Sequence, residues 1–189
     1  EEGGTLNTGA GGATASISTS TGGGGSNVQQ ISYHIPAVGG LTAGVSSGTG
    51  SIAADNEFTS FGMKYALEAG GANVTVGYST KVVETTNAAD NDTTSMGITV
   101  VMDALSVSLS NGTYTATDED RSTNAAAISY NLGNGLVVAA GAVSSEDDLD
   151  AGEEYDMTSY EAAYTIASGL SAVLNVSDFD YENGTDADN

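Results

Sequence analysis

The sequence repeats one pattern five times: a segment of alternating apolar and polar residues, a tight turn of small residues, and a second alternating segment. Equivalent positions recur at intervals of 32, 35, 30 and 34 residues, and repetition at this scale indicates an array of similar structural units. These positions are Tyr33, Tyr65, Val100, Tyr130 and Tyr164. Because each unit consists of two strands and a turn, the pattern predicts a chain of antiparallel β-hairpins.

Alternation gives each hairpin one apolar and one polar face, because residues two apart in a strand point to the same side. In the third hairpin, Leu105, Val107 and Leu109 alternate with serines. In the second, Met63 and Tyr65 alternate with glycine, lysine and alanine. The apolar face of such a sheet packs either on a protein core or on lipid, and in the second case the polar face lines a lumen.

Large apolar side chains are too scarce for a thick protein core. The chain has no Trp and three Phe, and Ala, Gly, Ser and Thr dominate the predicted strands. A soluble β-sandwich needs large side chains from two inner faces to fill a core about 10 Å thick. No stretch reaches the roughly 18 consecutive apolar residues of a membrane-spanning helix, so any membrane crossing would be made by strands.

Four tyrosines occupy matching places on the apolar face, a few residues before a tight turn: Tyr33, Tyr65, Tyr130 and Tyr164. Rings aligned at one height are typical of the aromatic girdle at a membrane interface, where the ring is in apolar surroundings and the hydroxyl is hydrated. The competing explanation is that tyrosine is a common strand residue and that its alignment follows from the repeat. We favour the girdle.

The predicted turns differ in length between the two ends of the sheet. The turns near Gly39, Gly70, Asp103, Gly133 and Gly169 are tight, whereas the connections between hairpins are longer and acidic. These include KVVETTNAADNDTT, TYTATDEDRSTN and SSEDDLDAGEEYDMT. Short turns at one end and long loops at the other are characteristic of outer-membrane barrels.

The hairpins AAAISYNLGNGLVVAAGAV and TSFGMKYALEAGGANVTVGYS resemble those of the general porins of Gram-negative bacteria, and the resemblance extends over roughly residues 28–183. It implies an all-β fold: an antiparallel up-and-down transmembrane β-barrel of sixteen strands, of which this chain supplies about ten or eleven. The porin's first strands and last strand would lie outside this sequence. The resemblance also implies a homotrimer in the outer membrane, in contact with lipid and lipopolysaccharide, that passes small hydrophilic solutes by passive diffusion.

We divide the chain into two parts. Residues 28–189 are predicted to form five hairpins of one barrel, with acidic outer loops. Residues 1–27 are rich in Gly, Ser and Thr. This segment is either the loop that narrows a porin's pore or one more strand over residues 13–20, and the sequence does not choose between them.

The formal net charge of −22, from 25 acidic and three basic residues, argues against nucleic acid as a partner. Acidic loops at a pore mouth would attract cations, so we expect a cation-preferring channel. Four titratable side chains fall on the predicted polar face and are candidate pore-lining residues: His34, Lys64, Glu68 and Glu161. The alternative for each is an ordinary solvated strand residue.

Clustered loop carboxylates suit calcium or magnesium, which bind hard oxygen ligands, although no EF-hand spacing is present. The candidate loop ligands are Asp118, Asp120, Asp147, Asp148 and Asp150. The alternative is that these loops are simply solvated. We expect no required cofactor.

Catalytic motifs are missing: the sequence has no Cys, one His, and neither a GxSxG nor an HExxH arrangement, so we expect no enzyme. The rival hypothesis from another class is an acidic, calcium-stabilised β-rich subunit of a surface layer, adhesin or extracellular filament. Such a protein would need a sealed protein core. It would lack a lipid-facing band of aligned apolar residues.

Overall fold

A computed structural model describes residues 5–7, 14–16, 29–49, 56–85, 90–117, 119–149 and 154–182. Within these ranges no helix has the length and hydropathy needed to span a membrane. The strands are β1 (Thr5–Asn7), β2 (Thr14–Ser16), β3 (Gln29–His34), β4 (Leu41–Thr49), β5 (Asn56–Ala69), β6 (Ala72–Thr85), β7 (Asn91–Met102), β8 (Leu105–Ala116), β9 (Glu119–Gly133), β10 (Leu136–Asp147), β11 (Glu154–Ala167) and β12 (Leu170–Glu182).

Strands β3 to β12 form a single ten-stranded sheet in which each strand pairs antiparallel with the next strand in the sequence. In the part of the chain that is described, β3 pairs only with β4, and β12 only with β11. This order is an up-and-down meander of hairpins. The prediction of an all-β, up-and-down antiparallel fold is confirmed.

Strands β1 and β2 form a separate two-stranded sheet that lies against β8 and β9. Strand β2 lies within the stretch predicted as an extra strand, but it pairs with β1 and not with the large sheet. The rest of residues 1–27 lies outside the described residues. Both interpretations of this segment, a constriction loop and an extra strand, therefore stay predictions.

Two-residue turns close the hairpins, as the sequence predicts, and in the first hairpin the turn is flanked by Val38 and Leu41, which form an isolated bridge beyond β3. Gly39 and Gly40 both have positive φ, 56° and 86°, as do Gly70 and Gly71. Paired positive φ values match the right-handed twist of the flanking strands. At Gly40 a side chain is also sterically excluded, because a Cβ there would collide with the carbonyl oxygen of Ala66. The Ala66 N–H donates to the Gly40 carbonyl at 2.9 Å, which fixes this turn against β5.

At the opposite end of the sheet the connections are shorter than predicted. Strand β6 extends to Thr85 and β7 begins at Asn91, so much of KVVETTNAADNDTT is strand. The prediction of a loop over TYTATDEDRSTN is wrong, because only residues 117 and 118 separate β8 from β9. Thr and Tyr are good strand formers, and pairing with the neighbouring strands extends each strand beyond its apolar segment. Strands β5 to β12 contain 12 to 15 residues, more than the roughly 9–11 needed to cross a bilayer.

The side chains of the described residues do not form the core of a soluble protein. None of the large side chains in this part of the chain is fully buried. The buried apolar residues are mainly alanines, with Phe58 and Val143. The rival hypothesis of a surface-layer or filament subunit requires a sealed core, and it is not supported.

Candidate pore-lining face

The register of the ten-stranded sheet sorts its side chains into two faces, because direct cross-strand partners point to the same side. The apolar face includes the row Leu67, Val74, Val100, Val107, Ile128, Ala140, Tyr160 and Val176. The polar face includes the adjacent row Glu68, Asn73, Val101, Ser106, Ser129, Ala139, Glu161 and Asn175.

Burial is confined to the polar face. Every described residue that is buried lies there: Gly44, Ser46, Phe58, Ser60, Gly62, Gly77, Ser108, Gly112, Ala125, Ala127, Ala139, Gly141, Val143, Asp147, Ser159, Glu161 and Ala163. On the apolar face, by contrast, Met96 is 49% exposed, Leu109 52% and Ile128 48%. The sheet therefore curves around its polar face, and its large apolar side chains point away from the protein.

Small hydroxylated residues suit the concave polar face, because they occupy little space and can satisfy one another. Ser46 Oγ and Ser60 Oγ, on neighbouring strands, lie 2.6 Å apart in a buried hydrogen bond. Similar cross-strand pairs are Thr99 with Ser108 at 2.9 Å and Thr123 with Ser145 at 2.8 Å. Buried hydroxyls that pair in this way avoid the cost of an unmade hydrogen bond.

The four predicted pore-lining residues share the polar face. His34, Lys64 and Glu68 lie on strands β3 and β5, and Glu161 lies on β11. The His34 ring lies beside Gly44, where an added Cβ would be 2.6 Å from Nδ1. The structure does not bring the four together, because Glu161 is six strands away from β5. Their role in a pore stays a prediction.

Two basic residues on the polar face were missed in the sequence, because they were assigned to loops. Lys81 lies on β6, with Nζ 5.6 Å from the centroid of the Phe58 ring in a cation–π arrangement. Arg121 lies on β9 and pairs with Glu119, Nη2 to Oε1 at 2.7 Å. Together with Lys64, these are all the basic residues of the sequence, and all three lie on one face. Extending the alternation past the apolar segments would have found them.

The four girdle tyrosines lie on the apolar face. Their exposed fractions are 63% for Tyr33, 42% for Tyr65, 46% for Tyr130 and 47% for Tyr164. Each is close to a two-residue turn at the same end of the sheet. This placement agrees with the facing that the alternation predicts, and contact with a membrane interface stays a prediction.

Of the five candidate metal ligands, the structure describes Asp120, Asp147 and Asp148, and these three do not form a metal site. Asp147 is buried, and its Oδ1 accepts backbone hydrogen bonds from Asp120 at 3.1 Å and Leu149 at 3.0 Å, so it braces the end of β10. Asp148 is exposed, while Asp118 and Asp150 lie outside the described residues. Among the residues described, no group of three or more His, Cys, Asp or Glu side chains could hold a metal ion. Calcium or magnesium binding by the acidic loops stays a prediction.

No protein-family model and no curated protein matches the sequence. Solved structures do match. Pseudomonas aeruginosa OccK2 (OpdF) superposes with a TM-score of 0.71 at 12% identity, over 82% of this chain and 52% of that one. For Pseudomonas aeruginosa OccK11 (OpdR) the TM-score is 0.69 at 11% identity, over 90% and 55%. Acinetobacter baumannii OccAB4 gives 0.67 at 10% identity, over 82% and 50%.

These neighbours are porins of the Occ/OprD family from the outer membranes of Gram-negative bacteria. The chain spans about half the length of the solved structures that it matches. At this level of identity the comparison concerns the fold. The resemblance to Gram-negative porins is confirmed at that level: the ten-stranded sheet has the fold of part of a porin barrel wall.

Proposed function

We propose that this chain forms part of the wall of a passive diffusion channel for small hydrophilic solutes and ions in the bacterial outer membrane. The observation that carries the proposal is the division of one curved sheet into two faces. Large apolar side chains such as Met96 and Leu109 are exposed on the convex side. Hydroxyls, glycines and all three basic residues lie on the concave side. Lipid outside and water inside would satisfy both faces.

In the described part of the chain the ten strands do not close on themselves, because β3 and β12 do not pair with each other. In hydrocarbon, an unpaired strand edge leaves backbone N–H and C=O groups without partners, at several kcal/mol for each group. Strands β3 and β12 each have one such edge in the part of the chain that is described. We therefore propose that further strands close the barrel, and experiments should use the full-length protein.

We also propose that the channel prefers cations. The formal charge of −22 supports this preference. Two of the three basic side chains on the polar face also have partners within the protein, because Lys81 lies over the Phe58 ring and Arg121 pairs with Glu119. A cleft with one sign of charge raises the local concentration of the opposite ion. Divalent cations at the acidic loops, contact with lipopolysaccharide and a homotrimer are further proposals. Chemical crosslinking of native membranes would test the trimer.

Liposome swelling tests the channel directly. Liposomes containing the full-length protein should swell in iso-osmotic solutions of uncharged sugars, and the rate should fall as the sugar becomes larger. Heat-denatured protein is the control. In planar bilayers under a potassium chloride gradient, the reversal potential should have the sign of cation selectivity. Protein that stays soluble without detergent, with neither swelling nor conductance, would contradict the proposal.

A further inference from the structure

Within the part of the chain that the structure describes, Glu161 is a buried carboxylate without a hydrogen-bond partner. It lies on the polar face of β11 and is 4% exposed. Among the described residues, neither of its side-chain oxygens has a hydrogen-bond partner, and both oxygens are inaccessible to solvent. A carboxylate in this state is costly, because burial removes its hydration and nothing replaces it.

The polar groups around Glu161 satisfy one another and not the carboxylate. Its cross-strand partners are Ala139 on β10 and Asn175 on β12. Ser159, two residues earlier on the same face, accepts from Asn175 Nδ2 at 3.2 Å and from Ser177 Oγ at 3.1 Å. The Ser177 hydroxyl also lies 3.0 Å from Asn175 Oδ1. Within the described part of the chain, no hydrogen bond of this cluster is donated to Glu161. The hydroxyl and amide oxygens of the cluster keep further lone pairs that could contact a cation.

No lysine or arginine of the sequence lies on β11 or on either strand that pairs with it. The sequence has three, Lys64, Lys81 and Arg121, and they lie on β5, β6 and β9. Lys81 faces the ring of Phe58, and Arg121 is paired with Glu119. The counter-charge for an ionised Glu161 must therefore come from elsewhere.

We propose that Glu161 binds a monovalent cation, either a metal ion or the ammonium or guanidinium group of a solute, on the polar face of the sheet. The proposal rests on the proposed channel function. One carboxylate with neighbouring hydroxyl and amide oxygens suits a single positive charge. A divalent site would call for more carboxylates, and among the residues described no group of three titratable ligands is present.

The test compares the full-length protein with Glu161→Gln in planar bilayers, using gradients of potassium, methylammonium or guanidinium chloride. Glutamine keeps the shape of the side chain and removes its charge. The matched control is Asp178→Asn, which removes one charge from the apolar face of the adjacent strand β12. We expect Glu161→Gln to lower the cation-to-anion permeability ratio about threefold or more, and Asp178→Asn to leave it near the wild-type value.

The three salts identify the source of the cation. A change with potassium as well as with the organic cations indicates a general monovalent site, and a change with the organic cations alone indicates a solute ammonium or guanidinium site. A conducting Glu161→Gln channel with wild-type permeability ratios in all three salts would overturn the inference. A lower yield of folded protein, with wild-type selectivity in the channels that do form, would also overturn it. Glu161 would then have a structural role, paired with a cationic group elsewhere in the full-length protein. If the wild-type protein does not conduct, the channel proposal fails, and this inference fails with it.

Discussion

Tyr33 on β3 and Tyr164 on β11 lie eight strands apart, and the register of the sheet displaces them by ten residues along the strand direction. Two other tyrosines fall close to the same line, since Tyr65 is displaced by four residues and Tyr130 by eight. With about 3.3 Å per residue and about 4.8 Å between strands, a level line through the tyrosines requires strands tilted by about 41°. Membrane barrels have tilts of about 35–45°.

The tilt is the first prediction. Polarised infrared spectroscopy of the full-length protein in oriented bilayers should give a strand tilt of about 40° from the membrane normal. This value follows if the four tyrosines lie at one membrane interface. A tilt below about 20°, or strands without a preferred orientation, would show that the tyrosines do not form a level girdle.

The buried serine pair on β4 and β5 should stabilise the sheet. Ser46→Ala leaves the Ser60 hydroxyl without its 2.6 Å partner on the concave face, and we expect a loss of about 1 kcal/mol in the free energy of unfolding. Urea unfolding of the full-length protein in lipid vesicles measures this loss. Ser47→Ala is the control, because Ser47 is exposed on the apolar face, and it should change stability by less than about 0.5 kcal/mol. Equal effects of the two variants would count against the proposed packing.

Two glycines of β4 should differ in their tolerance of alanine. At Gly48 an added Cβ would collide with the Gln29 carbonyl oxygen and lie 2.8 Å from the Phe58 ring, so we expect Gly48→Ala to cost about 1–3 kcal/mol. At Gly44 the nearest atom is Nδ1 of the His34 side chain, which can rotate away, so Gly44→Ala should cost less. The same urea titration ranks the variants. A larger cost at Gly44 would contradict the packing of Phe58 against β4.

Like charges face each other on the apolar face, at the end of the sheet opposite the two-residue turns. Asp156 on β11 is the direct cross-strand partner of Asp180 on β12. Such pairs are destabilising by a few tenths to about 1 kcal/mol. Asp180→Asn should therefore raise stability at low salt, and the gain should disappear in about 1 M salt, where charges are screened within about 3 Å.

Asp92→Asn is the control for this prediction, because the cross-strand partners of Asp92 are Val82 and Thr115, which are uncharged. It should change stability little at either salt concentration. A gain from Asp180→Asn that persists at high salt would point to a cause other than charge repulsion.

The apolar centre of each hairpin was readable from the sequence, and the polar ends of the strands were not. Alternation alone gave the facing of Tyr65 and Leu109, and glycine pairs such as Gly70 and Gly71 marked the turns. The stretch around Tyr114 reads as a loop by composition, yet it is strand because the neighbouring ladders on β7 and β9 pair with it. Pairing between strands is a tertiary effect that local composition does not report.

Features of the candidate site that depend on several strands together could not be predicted from the sequence either. Alternation placed Glu161 on the polar face, but its burial depends on β10 and β12 and on the curvature of the sheet. The opposition of Asp156 and Asp180 depends on the register of β11 with β12, since a shift of one residue would separate them. Register and curvature are set by the whole sheet, so these relationships appear only in the folded structure.

Thiol accessibility at Met96 and Ser95 tests the central claim most directly. These neighbours on β7 point to opposite faces. Met96 is on the apolar face, near the middle of the strand. The sequence has no Cys, so single Ser95→Cys and Met96→Cys variants carry unique labels within it. In full-length protein in lipid vesicles, with any cysteine outside this sequence replaced, a membrane-impermeant thiol reagent should modify Ser95→Cys and leave Met96→Cys protected. Modification of Met96→Cys with protection of Ser95→Cys, or equal modification of both, would contradict a barrel wall with lipid outside and water inside.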